Sequence, residues 1–117
     1  MRTYLALSAV WAVAAVACSD SSSSSTNLCA PSGAAATVSA SDNLAFSPSS
    51  VSVTVGQLVC WQNTGGMMHT VTENVVGRFN GSLPAGQTFV FTTNLTGTFA
   101  YHCNQHSNMT GTIVVNP

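Results

Sequence analysis

The stretch Gly97-Thr98-Phe99-Ala100-Tyr101-His102-Cys103-Asn104-Gln105-His106-Ser107-Asn108-Met109 reads as a strand that runs straight into a series of metal donors. Phe99 and Tyr101 alternate with Thr98 and Ala100, the period of two that puts successive side chains on opposite faces of a half-buried sheet. Cys103, His106 and Met109 then follow at intervals of three, so a thiolate, an imidazole and a thioether are drawn from one short segment. They reach a common point only if the segment turns back on itself. The same alternation directs His102 away from whatever Cys103 faces, as a surface residue or a neighbour of the ligands.

Outward from this stretch, the chain continues as short strands separated by turn residues. Val51, Val53 and Val55 alternate with Ser50, Ser52 and Thr54, and Gly56-Gln57 turns the chain. In residues 58–63, Val59 and Trp61 share one face, with Trp61 as the core anchor, and Leu58 and Cys60 share the other. Thr64-Gly65-Gly66 opens a loop, and residues 69–73 resume the alternation. Asn80-Gly81 and Pro84-Ala85-Gly86 are expected as turns. Residues 88–92 carry Phe89 and Phe91 on one side, and residues 111–115 form the last strand. No apolar period of 3.6 is sustained long enough for a helix, so the fold expected is all-β, a two-sheet Greek-key sandwich of seven or eight strands.

The N-terminus is of a different kind. Arg2 precedes an apolar run over residues 5–17 that is short for a bilayer span, and small residues lead to Cys18. Residues 1–17 are therefore expected to be a secretory signal of the lipoprotein type, with Cys18 as the lipidation site; cleavage by an ordinary signal peptidase is the alternative. Residues 18–34 form a Ser-rich tether and N-terminal arm, whose run 21–25 has no apolar side chain to offset the entropy of ordering. Residues 35–117 form the domain, large enough for a single core. This organisation implies export to the periplasm or cell surface and a membrane anchor.

Charge is nearly absent. The 117 residues contain 2 Lys or Arg and 3 Asp or Glu, and past the signal only Asp20, Asp42, Glu73 and Arg78 ionise. With no basic patch, nucleic acid is excluded as a partner. With Cys18 at the processing site and Cys103 among the donors, Cys29 and Cys60 remain in a compartment that permits disulfides, and they are expected to pair. Two free thiols are the alternative.

The donors suit copper. Two imidazoles, one cysteine sulfur and a weak axial methionine form the ligand set of a blue-copper site, and His69, arriving from a separate stretch, supplies the second imidazole. Singly, each has a plainer reading: a packed thiol, a satisfied polar ring, a methionine filling a gap. The combination at this spacing carries the assignment.

The chain resembles the cupredoxins, the family that includes plastocyanin, amicyanin and pseudoazurin. The resemblance rests on Phe46-Ser47-Pro48, the Val-Ser-Val-Thr-Val-Gly run at 51–56, Trp61-Gln62-Asn63, His69-Thr70-Val71, residues 97–103, His106, Met109 and Gly111-Thr112-Ile113-Val114. It covers most of the domain and implies one copper ion cycling between Cu(I) and Cu(II). Cys103 would form the short covalent bond, His69 and His106 would complete the trigonal plane, and Met109 would lie axially. Thr70 is expected to tie the two ligand segments together, and Met67 and Met68 to supply apolar packing around the ion. The function implied is transfer of single electrons between redox proteins such as a cytochrome, oxidase or reductase, by a monomer with no enzymatic activity. Copper binding or delivery is the alternative.

Overall fold

The computed structural model describes residues 27–117; the leader, Cys18 and most of the Ser-rich tether lie outside the described residues. A single 3-10 turn, Ala30–Ser32, precedes nine strands: β1 Ala36–Ala40, β2 Phe46–Ser47, β3 Ser50–Thr54, β4 Leu58–Asn63, β5 His69–Glu73, β6 Asn80–Leu83, β7 Thr88–Thr92, β8 Gly97–Cys103 and β9 His106–Asn116. They form two sheets, ordered β2-β1-β4-β7 and β3-β9-β8-β5-β6. Both are mixed, because β1 runs parallel to β4 and β3 parallel to β9. The chain changes sheet between β2 and β3, β3 and β4, β4 and β5, β6 and β7, and β7 and β8, which makes a two-layer sandwich of the expected Greek-key type.

The strand count exceeds the expected seven or eight, and two particular readings need correction. Asn80-Gly81, expected as a turn, begins β6 and pairs with β5 at Val71 and Thr72. The reason is packing: the Phe89 ring lies over Gly81, where a Cβ would come within 2.3 Å of the ring. The glycine is there to admit an aromatic, not to reverse the chain. At the C-terminus the last strand begins at His106 rather than 111, so the donor segment is mostly sheet. Val55 lies just past the end of β3 and is exposed rather than buried.

The core sits between the sheets and is built around Trp61, which is fully buried, as is Tyr101. The Trp61 ring meets Tyr101 edge to face at 5.4 Å and Phe79 and Phe89 at 5.6 and 5.7 Å, and Phe46 closes on Tyr101 at 4.9 Å. Each such contact contributes about 0.5–1.5 kcal/mol beyond area burial, enough together to fix the relative placement of the two layers. Tyr101 lies over Gly111 on the neighbouring strand, leaving no room for a larger residue there.

The N-terminal arm is fastened to the outer face of the four-stranded sheet. Cys29 and Cys60 form a disulfide across a sequence separation of 31, as expected from the cysteine count. Beside it, the Leu28 amide donates to Gln62 Oε1 at 2.8 Å, and Gln62 Nε2 donates to Ser39 Oγ at 2.9 Å. Cys60 points away from the Trp61 face yet is fully buried, because the arm covers it.

Candidate metal centre

The β8–β9 hairpin turns through only two residues, Asn104 and Gln105, so that Cys103 pairs with His106. A register shift between His102 and Cys103 interrupts the otherwise regular ladder. Irregularities of this kind re-aim a side chain at the rim of a sheet. His69, the first residue of β5, comes from the adjacent strand: β5 and β8 pair at Thr72 with His102 and at Glu73 with Tyr101. Beyond Thr72 the ladder stops, and side chains replace it.

There the Thr70 amide donates to Cys103 Sγ at 3.3 Å, and the Thr70 hydroxyl accepts from the Asn104 amide at 2.8 Å. One residue therefore holds both ligand segments together. The thiolate is the form of cysteine that binds a metal.

Cys103 Sγ lies 3.8 Å from His69 Nδ1 and 3.6 Å from His106 Nδ1. The three donor atoms all fall within 4.8 Å of one another. With metal–sulfur and metal–nitrogen bonds of about 2.3 and about 2.0 Å, a sulfur and a nitrogen spread about 120° apart around one ion would sit about 3.7 Å from each other. The two sulfur–nitrogen separations fit donors gathered around one small ion. Cys103 is the only free cysteine among the described residues, and it and His69 are almost wholly buried while His106 is half-buried. Met109 follows His106 by three residues on β9 and is completely buried.

Burial pushes the His69 imidazole below its ordinary value, and the facing His106 ring pushes it the same way. The ring therefore stays neutral, with its Nδ1 lone pair available to a metal. Its other nitrogen, Nε2, is buried and has no hydrogen-bond partner. A neutral, buried imidazole whose Nδ1 faces a buried sulfur suits a resident metal ion.

His102 points to the outer face. Its Nδ1 pairs with Asn74 Oδ1, and its Nε2 with Asn104 Oδ1 at 2.8 Å. The Asn104 side-chain amide continues to the Thr72 hydroxyl at 3.1 Å, and Thr72 donates to Asn80 at 3.0 Å. This polar chain stiffens the back of the ligand turn. Met67 and Met68 lie at the surface, 42% and 41% exposed.

Asn63, named above only as part of the resemblance, also shapes the site. Its side-chain amide donates to the carbonyls of Met67, at 2.6 Å, and Leu83, at 2.9 Å, and its oxygen accepts from the Gly65 amide at 3.0 Å. It thus fixes the loop that delivers His69. The available signal was its place at the end of a buried strand, directly before Thr64-Gly65-Gly66, where a buried amide needs several backbone partners.

A sequence profile for copper binding proteins of the plastocyanin/azurin family matches residues 33–116. No curated protein sequence is matched significantly. Among solved structures, the chain is similar to a novel purple cupredoxin from Nitrosopumilus maritimus, with a TM-score of 0.65 and 23% identity over 69% of this chain and 99% of that one. At that identity the likeness shows the fold. A reduced-state amicyanin variant aligns with a TM-score of 0.64 and 29% identity over 73% of this chain and 84% of that one. An oxidized amicyanin variant aligns with a TM-score of 0.62 and 30% identity over the same shares, 73% and 84%.

Proposed function

Because the chain belongs to the plastocyanin/azurin family of copper-binding proteins and holds a site for one copper ion, we propose that it carries single electrons between redox proteins outside the cytoplasm. The observation that carries this reading is the donor set itself: one sulfur and two imidazole nitrogens within 4.8 Å of one another, with the buried Met109 three residues along β9 from His106 as the candidate fourth donor. Bound copper supplies a one-electron couple between Cu(II) and Cu(I). Cys103, His69 and His106, with Met109, would hold it. Catalytic metal sites keep a position open for substrate, and four protein donors leave none. This supports a carrier rather than an enzyme.

Rigidity supports the same reading. A site that changes little between oxidation states passes electrons quickly, and here the donors are held by adjacent strands, by Thr70 and by the loop contacts of Asn63. The half-buried His106 is the donor nearest to solvent and offers the route to a partner. Met67 and Met68, in the loop leading to His69, are apolar and partly exposed, and a chain with 3 acidic and 2 basic residues carries little charge, so docking relies on contact rather than on long-range steering.

Export and anchoring rest on the leader over residues 1–17 and on Cys18, which we read as lipidated, with the Ser-rich tether giving the domain reach from the membrane. The Cys29–Cys60 bridge agrees with an oxidising compartment.

Copper delivery is the competing reading, and retention separates the two. A carrier loaded with one equivalent of copper passes through repeated chemical reduction and reoxidation without losing the ion to a competing chelator. Loss of most of the copper within a few cycles would assign the protein to delivery instead.

A further inference from the structure

Asp42 lies in the loop between β1 and β2, far in sequence from any donor, yet its carboxylate grips the loop that ends in His69. Oδ1 accepts from the Gly66 amide at 2.9 Å and the Met67 amide at 3.0 Å, and Oδ2 accepts from Gly66 at 3.1 Å. Just upstream, the Thr64 amide donates to the Ala40 carbonyl at 2.9 Å. The approach is so close at Gly65 that a Cβ there would stand 2.2 Å from Asp42 Oδ1 and 2.9 Å from the Asp42 backbone nitrogen. Only glycine permits it. In a chain with 3 acidic residues, one is thus committed to two consecutive backbone amides that lead directly to a metal ligand.

The carboxylate is suited to the task. Hydrogen bonds from the Gly66 and Met67 amides hold it below its ordinary carboxyl value, so it remains an anion, and an anionic acceptor binds amides about twice as strongly as a neutral one. Asn63 holds the same loop from the other side, through Gly65 and Met67. The loop is therefore clamped between two side chains, one buried and one at the surface. His69 follows two residues after the last clamped amide.

We propose that Asp42 is a positioning residue for the metal centre, fixing the 65–67 turn so that His69 faces Cys103 before copper arrives. The proposal rests on the copper reading given above. Pre-set geometry lowers the ordering cost of binding and slows release.

The test compares Asp42→Ala and Asp42→Asn in the full chain, by amide hydrogen exchange of the metal-free protein and by copper release to a chelator from the loaded protein. In Asp42→Ala, exchange at Gly66 and Met67 should quicken by about tenfold, as should copper release, on the scale of losing a charge-assisted hydrogen bond. Asp42→Asn, whose amide oxygen still accepts, should restore most of both. Gly65→Ala, which crowds the carboxylate from the other side, should reproduce the faster release. Faster amide exchange with unchanged copper release would overturn the positioning role, and so would unchanged exchange at both amides. A wild-type protein that fails to take up copper would instead sink the copper reading, while the amide exchange would still report whether the clamp exists.

Discussion

Thr70 illustrates how much of the centre depends on single hydrogen bonds. Its amide reaches the Cys103 sulfur, and its hydroxyl receives the Asn104 amide, so backbone and side chain act on the two ligand segments separately. Thr70→Val removes the second contact and keeps the first. The substitution should lower thermal stability by about 1 kcal/mol, the net worth of one such bond, while the copper-loaded protein keeps its visible absorption; a calorimetric scan and a spectrum check both parts. The sequence offered Thr70 as a tie because it directly follows His69, and that proximity is visible in one dimension. Asp42 was invisible in the same sense. Its partners lie 24 and 25 residues away, and nothing in the local pattern links them.

At the scale of strands, alternation made β8 legible, because Phe99 and Tyr101 must face one way and Thr98 and Ala100 the other. The β6 strand was hidden by its own composition, since Asn80-Gly81 has the chemistry of a turn and becomes a strand only because Phe89 fills the space over Gly81. The start of β9 at His106 was hidden for a related reason: the spacing of donors suggested a loop, and a two-residue turn leaves the donors in strands instead. The arm and its bridge were legible from cysteine arithmetic, because one thiol was needed among the donors and another at the processing site. Closing a loop of 31 residues constrains the unfolded chain by about 3–4 kcal/mol. A Cys29→Ser/Cys60→Ser variant should lose stability of that order in denaturant unfolding. Its copper spectrum should be unchanged, because the bridge lies on the sheet that carries none of the donors.

For the molecule as a whole, the two layers meet around one aromatic pile, and Cys103, His106 and His69 gather at the rim of the five-stranded sheet, from β8, β9 and β5 in turn. His69 and Tyr101, both buried, set the pH range over which the metal-free fold is most stable. Folded His69 binds protons less readily than the unfolded side chain, so stability falls as the pH drops below the ordinary imidazole value of 6.5. Burial pushes the Tyr101 phenol up to about 12 from 10.0, so the folded chain keeps a proton that the unfolded chain releases, and stability falls as the pH rises above 10.0 toward 12, by about 2–3 kcal/mol. Urea midpoints of the metal-free protein should therefore be highest between these limits. Copper binding should raise the midpoint by mass action and blunt the acid loss, since a ligated imidazole no longer takes up the proton.

The central claim is that Cys103, His69, His106 and Met109 close around one copper ion with the thiolate bonded to it. The most direct measurement is the visible spectrum of the purified protein after one equivalent of Cu(II), beside that of Cys103→Ser. The account predicts an intense sulfur-to-copper charge-transfer band in the wild type and none in the variant. A wild-type protein that stays colourless, or a band that survives the loss of Cys103, would contradict it.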